Sequence, residues 1–338
     1  MNYRNLGRTG VQVSELCLGT MMFGGKTEES DSIAIIDRAI DSGINFIDTA
    51  NVYSRGRSEE VVGKALKGKR RDIVLATKVH GQMDPDDPNG RGVSRRHIVS
   101  QCEASLRRLQ TDHIDLYQLH RPMSSIPIDE SLRALDDLIR AGKVLYIGAS
   151  NFAAWQIVES LWVSKELGLN RFVCVQPPYN LMDRRVEREV VPMAITYGLG
   201  IIPWSPLAGG YLTGKYRRSE QRPKGARHEQ QTKDTTSALF SDRAFDVVET
   251  LEKIAEEKKC SPGQLALAWC KGQPGITCPI IGPRTMDHLL DNLGSLEVEV
   301  TPEDRARIDK AAAPGRAVSP YFQPDVINTD FGPHPYRW

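Results

Sequence analysis

Four side chains in this sequence have the types needed to move a proton together: Asp48, Tyr53, Lys78 and His120. Three of them close short apolar runs, Asp48 at the end of Phe46-Ile-Asp, Lys78 at the end of Ile73 to Lys78, and His120 at the end of Ile114 to His120. Ser150-Asn151, Gln176 and Trp204-Ser205 close three more. An Asp–Lys pair in a partly buried site, with the lysine charge beside Tyr53, would favour tyrosinate and lower the phenol's pKa. A phenol so tuned exchanges a proton near neutral pH, as reduction of a carbonyl requires, and His120 could orient the oxygen or assist the transfer. Taken singly, each residue has an ordinary role: a turn or cap for the acid, a solvated strand end for the lysine, a structural hydrogen bond for the histidine. Their repetition at strand ends is what points to a site. No nucleophile elbow and no metal-spaced cluster occurs, which argues against covalent and metal-dependent hydrolysis, and no bound metal is expected.

The elements that must position these residues alternate. Tyr3 to Leu6 and Val11 to Ser14 flank a Gly-containing turn and predict a hairpin. Strands follow at Leu16 to Gly19, Phe46 to Asp48, Ile73 to Lys78, Ile114 to His120, Leu145 to Ser150, Phe172 to Gln176, Gly200 to Trp204 and Cys278 to Ile281. Helices are predicted at Asp31 to Asp41, Ser58 to Lys67, Ser94 to Leu109, Asp129 to Ala141, Ala153 to Leu167, Arg184 to Tyr197, Ser241 to Lys258 and Arg284 to Leu293, with an extra one at Ser261 to Cys270. Eight strand-then-helix units favour an α/β fold closed as a (β/α)8 TIM barrel. An open doubly wound sheet is the runner-up, but no Gly-x-Gly-x-x-Gly follows the first strand. In a barrel the polar strand ends converge on one mouth. Extended loops are expected after strand three (Gln82 to Gly92) and strand seven (Ser205 to Thr236), both on that mouth. Residues 1–338 read as a single barrel domain, with 311–338 as a Pro-rich C-terminal tail.

The chain has 338 residues, 40% hydrophobic and 26% charged, with a formal net charge of +1. That composition is globular, and it offers no basic surface for nucleic acid. The basic run Lys67 to Arg71 reads as a solvated turn. Six scattered cysteines, several inside apolar runs, suit a reducing compartment. No leader and no apolar run of spanning length is visible, so a cytoplasmic protein with no membrane partner is expected. The sequence carries no signal for an oligomeric state.

At these residues the chain resembles the aldo-keto reductase superfamily, and the similarity runs over nearly its whole length. It is carried by Phe46-Ile-Asp-Thr-Ala50 through Tyr53, Gly56-Arg-Ser-Glu-Glu60, Leu75-Ala-Thr-Lys78, Ser105-Leu-Arg-Arg-Leu109 with Asp115-Leu-Tyr-Gln-Leu-His120, and Gly142 to Phe152. Trp204-Ser-Pro-Leu207 and Ile281-Gly-Pro-Arg284 resemble the cofactor loops of the bacterial and potassium-channel-β-like branch.

The resemblance implies an NADPH-dependent oxidoreductase acting on a small-molecule carbonyl, with NADPH/NADP+ as cofactor. It assigns Tyr53 as general acid, Lys78 and Asp48 as its tuners, and His120 as the residue that positions the carbonyl. Ser150, Asn151 and Gln176 match residues that hold the nicotinamide carboxamide, and Trp204 matches a ring that stacks on it. Ser205, Pro206, Leu207 and Gly209 match the pyrophosphate loop, and Lys215 is a charged contact from the same loop. Gly19, Thr20, Met21, Ile281, Gly282, His288, Asp291 and Asn292 complete the implied cofactor set, with Asn292 at the adenine. Arg284, at a helix N-terminus suited to phosphate, would select the 2′-phosphate of NADPH. Met22 and Phe23, with Tyr53 and His120, would line the substrate side, and the tail aromatics Tyr321, Phe322 and Phe331 could add to it. His288 stands where many members carry Gln, and Pro283 removes one backbone donor at the phosphate site. Two rivals remain: a channel-β-like regulatory subunit with weak or no turnover, and a barrel isomerase or aldolase using Lys78 as a Schiff-base nucleophile.

Overall fold

The computed structural model describes residues 1–218 and 240–319. The end of the strand-seven loop and the tail aromatics lie outside the described residues. A hairpin of β1 (Tyr3–Asn5) and β2 (Gln12–Ser14) precedes eight parallel strands. These are β3 (Cys17–Gly19), β4 (Phe46–Asp48), β5 (Val74–Val79), β6 (Ile114–Leu119), β7 (Val144–Ser150), β8 (Phe172–Gln176), β9 (Gly200–Ile201) and β10 (Ile280–Ile281), in the order β10-β3-β4-β5-β6-β7-β8-β9. The sheet closes through its last pair. Thr277 N–H donates to Ile201 O at 2.8 Å and Ile280 N–H to Pro203 O at 2.8 Å. The expected (β/α)8 barrel is the fold observed. β9 and β10 are shorter than expected because Pro203 and Pro279 have no N–H to give the ladder.

Helices alternate with the strands: α1 (Glu29–Asp41), α2 (Arg57–Ala65), α3 (Arg95–Leu109), α4 (Ile128–Arg140), α5 (Ala154–Leu167), α6 (Val190–Tyr197), α7 (Asp242–Glu257), α8 (Pro262–Lys271), α9 (Met286–Gly294) and α10 (Pro302–Ala311). Ser94, Ser241, Ser261 and Thr285 each accept a hydrogen bond from the first turn of the helix that follows, so the starts of α3, α7, α8 and α9 are set locally. The expected helix over 184–197 is broken into a single turn at Arg185–Glu187 and α6. Pro192 sits in the first turn of α6, where its missing N–H costs no intrahelical bond; in one continuous helix it would. α10 was not expected. Arg70, in the basic run read as a solvated turn, instead donates to Asp115 Oδ2 (2.6 Å), Ile73 O and His113 O. No helix among the described residues is long and apolar enough to cross a membrane.

The strand pattern has period two, and in a closed barrel alternate residues point in and out. Leu18, Ile47, Leu75, Tyr117, Val175 and Ile201 face the helices and join the large outer core. Cys17, Phe46, Ala76, Leu116, Cys174, Ile202 and Cys278 form a separate inner cluster with Leu6 and Val13 of the hairpin. The hairpin thus plugs one end of the barrel. Its turn depends on Gly7, with φ of +58°, where an added Cβ would lie 2.5 Å from Val173 O and 2.7 Å from Gly200 N. The next inward positions toward the strand C-termini are polar: Asp48, Lys78, Gln118 and Gln176. An apolar layer therefore floors a polar one, on the face where barrels carry chemistry.

Candidate active site

The polar layer is one connected network. Lys78 Nζ, fully buried, donates to Asp48 Oδ1, to Thr49 O at 2.8 Å and to Tyr53 Oη at 3.2 Å. Burial alone would lower the pKa of Lys78, but Asp48 and Tyr53 outweigh it, and the net direction is upward. The side chain is a fixed ammonium with its three donors engaged. A Schiff-base nucleophile needs a neutral amine, so the aldolase reading is disfavoured. Asp48 Oδ2 accepts from Gln118 Nε2 (3.1 Å) and Gln176 Nε2 (2.9 Å), and Gln176 also donates to Gln118 Oε1 (3.2 Å). Gln118 was missed in the sequence. Its signal was parity: Leu116, Gln118 and His120 share one face of a strand.

Tyr53 stands above this layer on a tight turn, Tyr53–Gly56, in which Ser54, Arg55 and Gly56 all have positive φ (48°, 54° and 90°). The ring of His120 meets that of Tyr53 edge-on, with centroids 5.7 Å apart and planes at 79°. Burial holds the His120 imidazole well below its usual pKa, and Lys78, His80 and Arg121 add to this, so it is neutral near pH 7. The expected four, Asp48, Tyr53, Lys78 and His120, are therefore brought together.

A second set lies across the mouth. Ser150 Oγ donates to Gln176 O (2.9 Å), and Asn151 Nδ2 donates to His120 O (2.9 Å) and Ser150 Oγ (3.0 Å). Trp204 Nε1 donates to Asn151 Oδ1 at 3.1 Å. Past Trp204 the chain turns through Ser205, Ala208, Gly209 and Gly210, all with positive φ, and Asn180 Nδ2 holds Ser205 O at 3.0 Å. Lys215 from this loop lies close enough to Arg284 and His288, at the start of α9, for their charges to interact. Burial lowers the Lys215 pKa and Arg284 lowers it further; burial, Arg284 and Lys215 lower that of His288. Three cation-forming side chains thus converge where α9 presents its free N–H groups. Gly282, with open space around it, leads into them.

Residues 15–313 match the Aldo/keto reductase family. The chain belongs to that family. It is 42% identical to an uncharacterized oxidoreductase, YrpG, of Bacillus subtilis (strain 168), over 90% of this chain and 93% of that one. It is 38% identical to a probable voltage-gated potassium channel subunit beta of Oryza sativa subsp. japonica (90% and 94% covered) and 34% identical to the versiconal hemiacetal acetate reductase of Aspergillus parasiticus (95% and 99% covered). The chain is an oxidoreductase by this membership, and nicotinamide cofactors are typical of the family.

Within this aldo/keto reductase several of the other expected residues are buried or tied to neighbouring elements. Phe23 is fully buried and joins the outer core, while Met21 is exposed and Met22 half-buried. Thr20 is also fully buried, and its hydroxyl joins Ser58 Oγ at 2.9 Å and Asp48 O at 3.2 Å. Gly19 lets β3 pass β10, since an added Cβ would lie 2.5 Å from Ile280. Pro206, Ile281 and Asn292 are buried, Leu207 is half-buried, and Asp291 Oδ1 accepts from Gln264 Nε2 at 3.0 Å, tying α9 to α8. Among the described residues no group of three His, Cys, Asp or Glu could hold a metal ion. All six cysteines are free thiols.

Proposed function

We propose that the protein reduces an aldehyde or ketone to the alcohol with NADPH, and that Tyr53 gives the proton. The observation that carries this is the buried Lys78 ammonium, bonded at once to Asp48 and to the Tyr53 hydroxyl at 3.2 Å. The bound nicotinamide supplies the hydride. As the phenolic proton leaves, negative charge develops on Tyr53 Oη beside a cation that is already in place and needs no reorganisation. His120, kept neutral, can donate an N–H to the carbonyl oxygen and fix it near Tyr53.

The chain's other residues fit that cofactor. Ser150, Asn151 and Gln176 would hold the carboxamide, with Trp204 beside the ring. Ser205, Leu207 and Gly209 would follow the pyrophosphate through the left-handed turn. Arg284 disfavours the charged forms of Lys215 and His288, an added phosphate would relieve that repulsion, and this favours NADPH over NADH. Met22, half-buried, and Phe23, the buried residue that follows it, would give the substrate side its apolar character. The six free thiols accord with a reducing cytoplasm, and the chain is read as a single catalytic domain. The relatives named as channel beta subunits favour a second reading, a cofactor-binding subunit with weak turnover.

The test is absorbance at 340 nm with NADPH or NADH against a panel of aldehydes and ketones, comparing wild type with Tyr53→Phe. Carbonyl-dependent NADPH loss that falls roughly 10²- to 10⁴-fold in Tyr53→Phe is expected. Tight NADPH binding without turnover would favour the subunit reading. Absence of nucleotide binding would overturn both.

A further inference from the structure

Asp48 has two carboxylate oxygens, and only Oδ1 meets Lys78. Oδ2 faces the amides of Gln118 and Gln176 at 3.1 and 2.9 Å. All four residues are 0 to 2% exposed, so water does not substitute for any of these bonds. The orientation of Gln118 is fixed as well, because its Oε1 takes the second bond of Gln176 Nε2 at 3.2 Å. The reverse orientation would set an amide oxygen against the carboxylate. We propose that Gln118 is a positioning residue for proton transfer: with Gln176 it holds the second oxygen of Asp48 and so sets how strongly Lys78 acts on Tyr53. This rests on Tyr53 being the proton donor.

The physical reason is a division of charge. Two donors on Oδ2 draw carboxylate charge away from Oδ1, so Asp48 neutralises Lys78 only in part and the ammonium retains its pull on the Tyr53 oxygen 3.2 Å away. Removing one donor returns charge to Oδ1, quenches the ammonium and makes tyrosinate harder to form. The charged and titratable groups around this centre are few. Asp48 comes from β4, Lys78 from β5 and His120 from the end of β6, with His80 and Arg121 beyond the histidine. The thiols of Cys17, Cys174 and Cys278 lie below, and burial raises all three so that they stay protonated. None of these would mask a change at Asp48.

The experiment is the pH dependence of kcat for carbonyl reduction by the full chain, with NADPH KM measured alongside. For Gln118→Leu, kcat falls on the order of tenfold, the equivalent of one charge-assisted hydrogen bond. Its alkaline limb, where Tyr53 loses its proton, moves to higher pH, and the KM for NADPH is unchanged. Gln118→Glu behaves differently. At low pH the introduced carboxyl shares one proton with Asp48 and donates to Oδ2 as the amide did, so kcat approaches wild type. As that proton is lost two carboxylates face each other, and activity falls at a lower pH than in wild type. Limbs that stay in place in both variants, with at most a uniform loss, would overturn the proposal. If Gln118→Leu does not fold, the early fall of Gln118→Glu supports the proposal and a wild-type profile overturns it. Tyr53→Phe separates the two readings: its full activity would remove Tyr53 as the donor, whereas an inactive Tyr53→Phe beside wild-type Gln118 profiles would remove only the role of Gln118.

Discussion

His80, two residues beyond Lys78, shows how far this environment bends a single titration. Burial, reinforced by Arg121, His97 and Arg91, lowers its pKa to about 4 from an ordinary 6.5. The folded protein keeps the imidazole neutral while the unfolded chain takes up a proton below about 6.5. The contribution of His80 to stability is therefore lost progressively as pH falls from about 6.5 and is gone near 4, a loss on the order of 3 kcal/mol. Urea midpoints measured between pH 7 and 4.5 should fall, and His80→Gln should remove that part of the slope; an equal slope in the variant would contradict this. At this scale much of the site was legible in the sequence. Asp48, Lys78 and His120 announce themselves because a titratable group at the end of an apolar run is conspicuous. Gln118 does not, since an uncharged residue inside a run is visible only once strand parity is followed. The burial of Phe23 was not legible, because its type suits a pocket mouth and a core equally and the turn at Thr20–Phe23 sets its packing.

Between residue and barrel stands the turn that presents Tyr53. Of its three positive-φ residues Gly56 packs on Arg108, whose Cδ would lie 2.8 Å from a Cβ added there. Arg108 cannot easily yield, because its Nε donates to Glu59 Oε2 at 2.6 Å and Glu59, wholly buried, also accepts from Thr77 at 2.5 Å. Gly56→Ala therefore meets both a left-handed backbone and a fixed side chain. It should cost about 2 kcal/mol and lower kcat about tenfold by tilting Tyr53, and a variant with wild-type kcat would show that the turn does not set the tyrosine. Arg108→Leu should cost more, about 3–5 kcal/mol in denaturant unfolding, since it leaves the Glu59 carboxylate buried without its cation. Elements were legible where caps and periodicity agree, as in α3 and α7. α10 was overlooked although Thr301-Pro-Glu-Asp304 is a capping box with proline at the first position, because eight units already completed the barrel. The break before α6 was hidden because Val190 to Tyr197 continues the apolar spacing of the residues before it.

For the whole molecule, alternation of strands and helices was enough to name a closed barrel, but the bonds that close it were not readable. Closure rests on backbone bonds from Thr277 and Ile280 to segments carrying Pro203, where the sequence shows a broken strand. Closure matters because it sets the loop bearing Lys215, which follows β9, beside the start of α9, which follows β10. A ligand bridging Lys215, Arg284 and His288 would tie together the two strands least well laddered. Binding to the folded state alone stabilises it by about 2.7 kcal/mol at a free ligand concentration of 100 Kd. For a chain of this size that is roughly a 4 °C rise in Tm. NADPH should give this rise, NADH a smaller one at equal concentration, and Arg284→Leu should bring the NADPH shift down to that of NADH. The difference between the two nucleotides should also shrink as salt is raised, since Arg284 is only partly buried and its attraction for phosphate is screened. Equal shifts in wild type at low salt would mean that this cationic cluster does not read the 2′-phosphate, and that cofactor choice is set elsewhere in the barrel mouth.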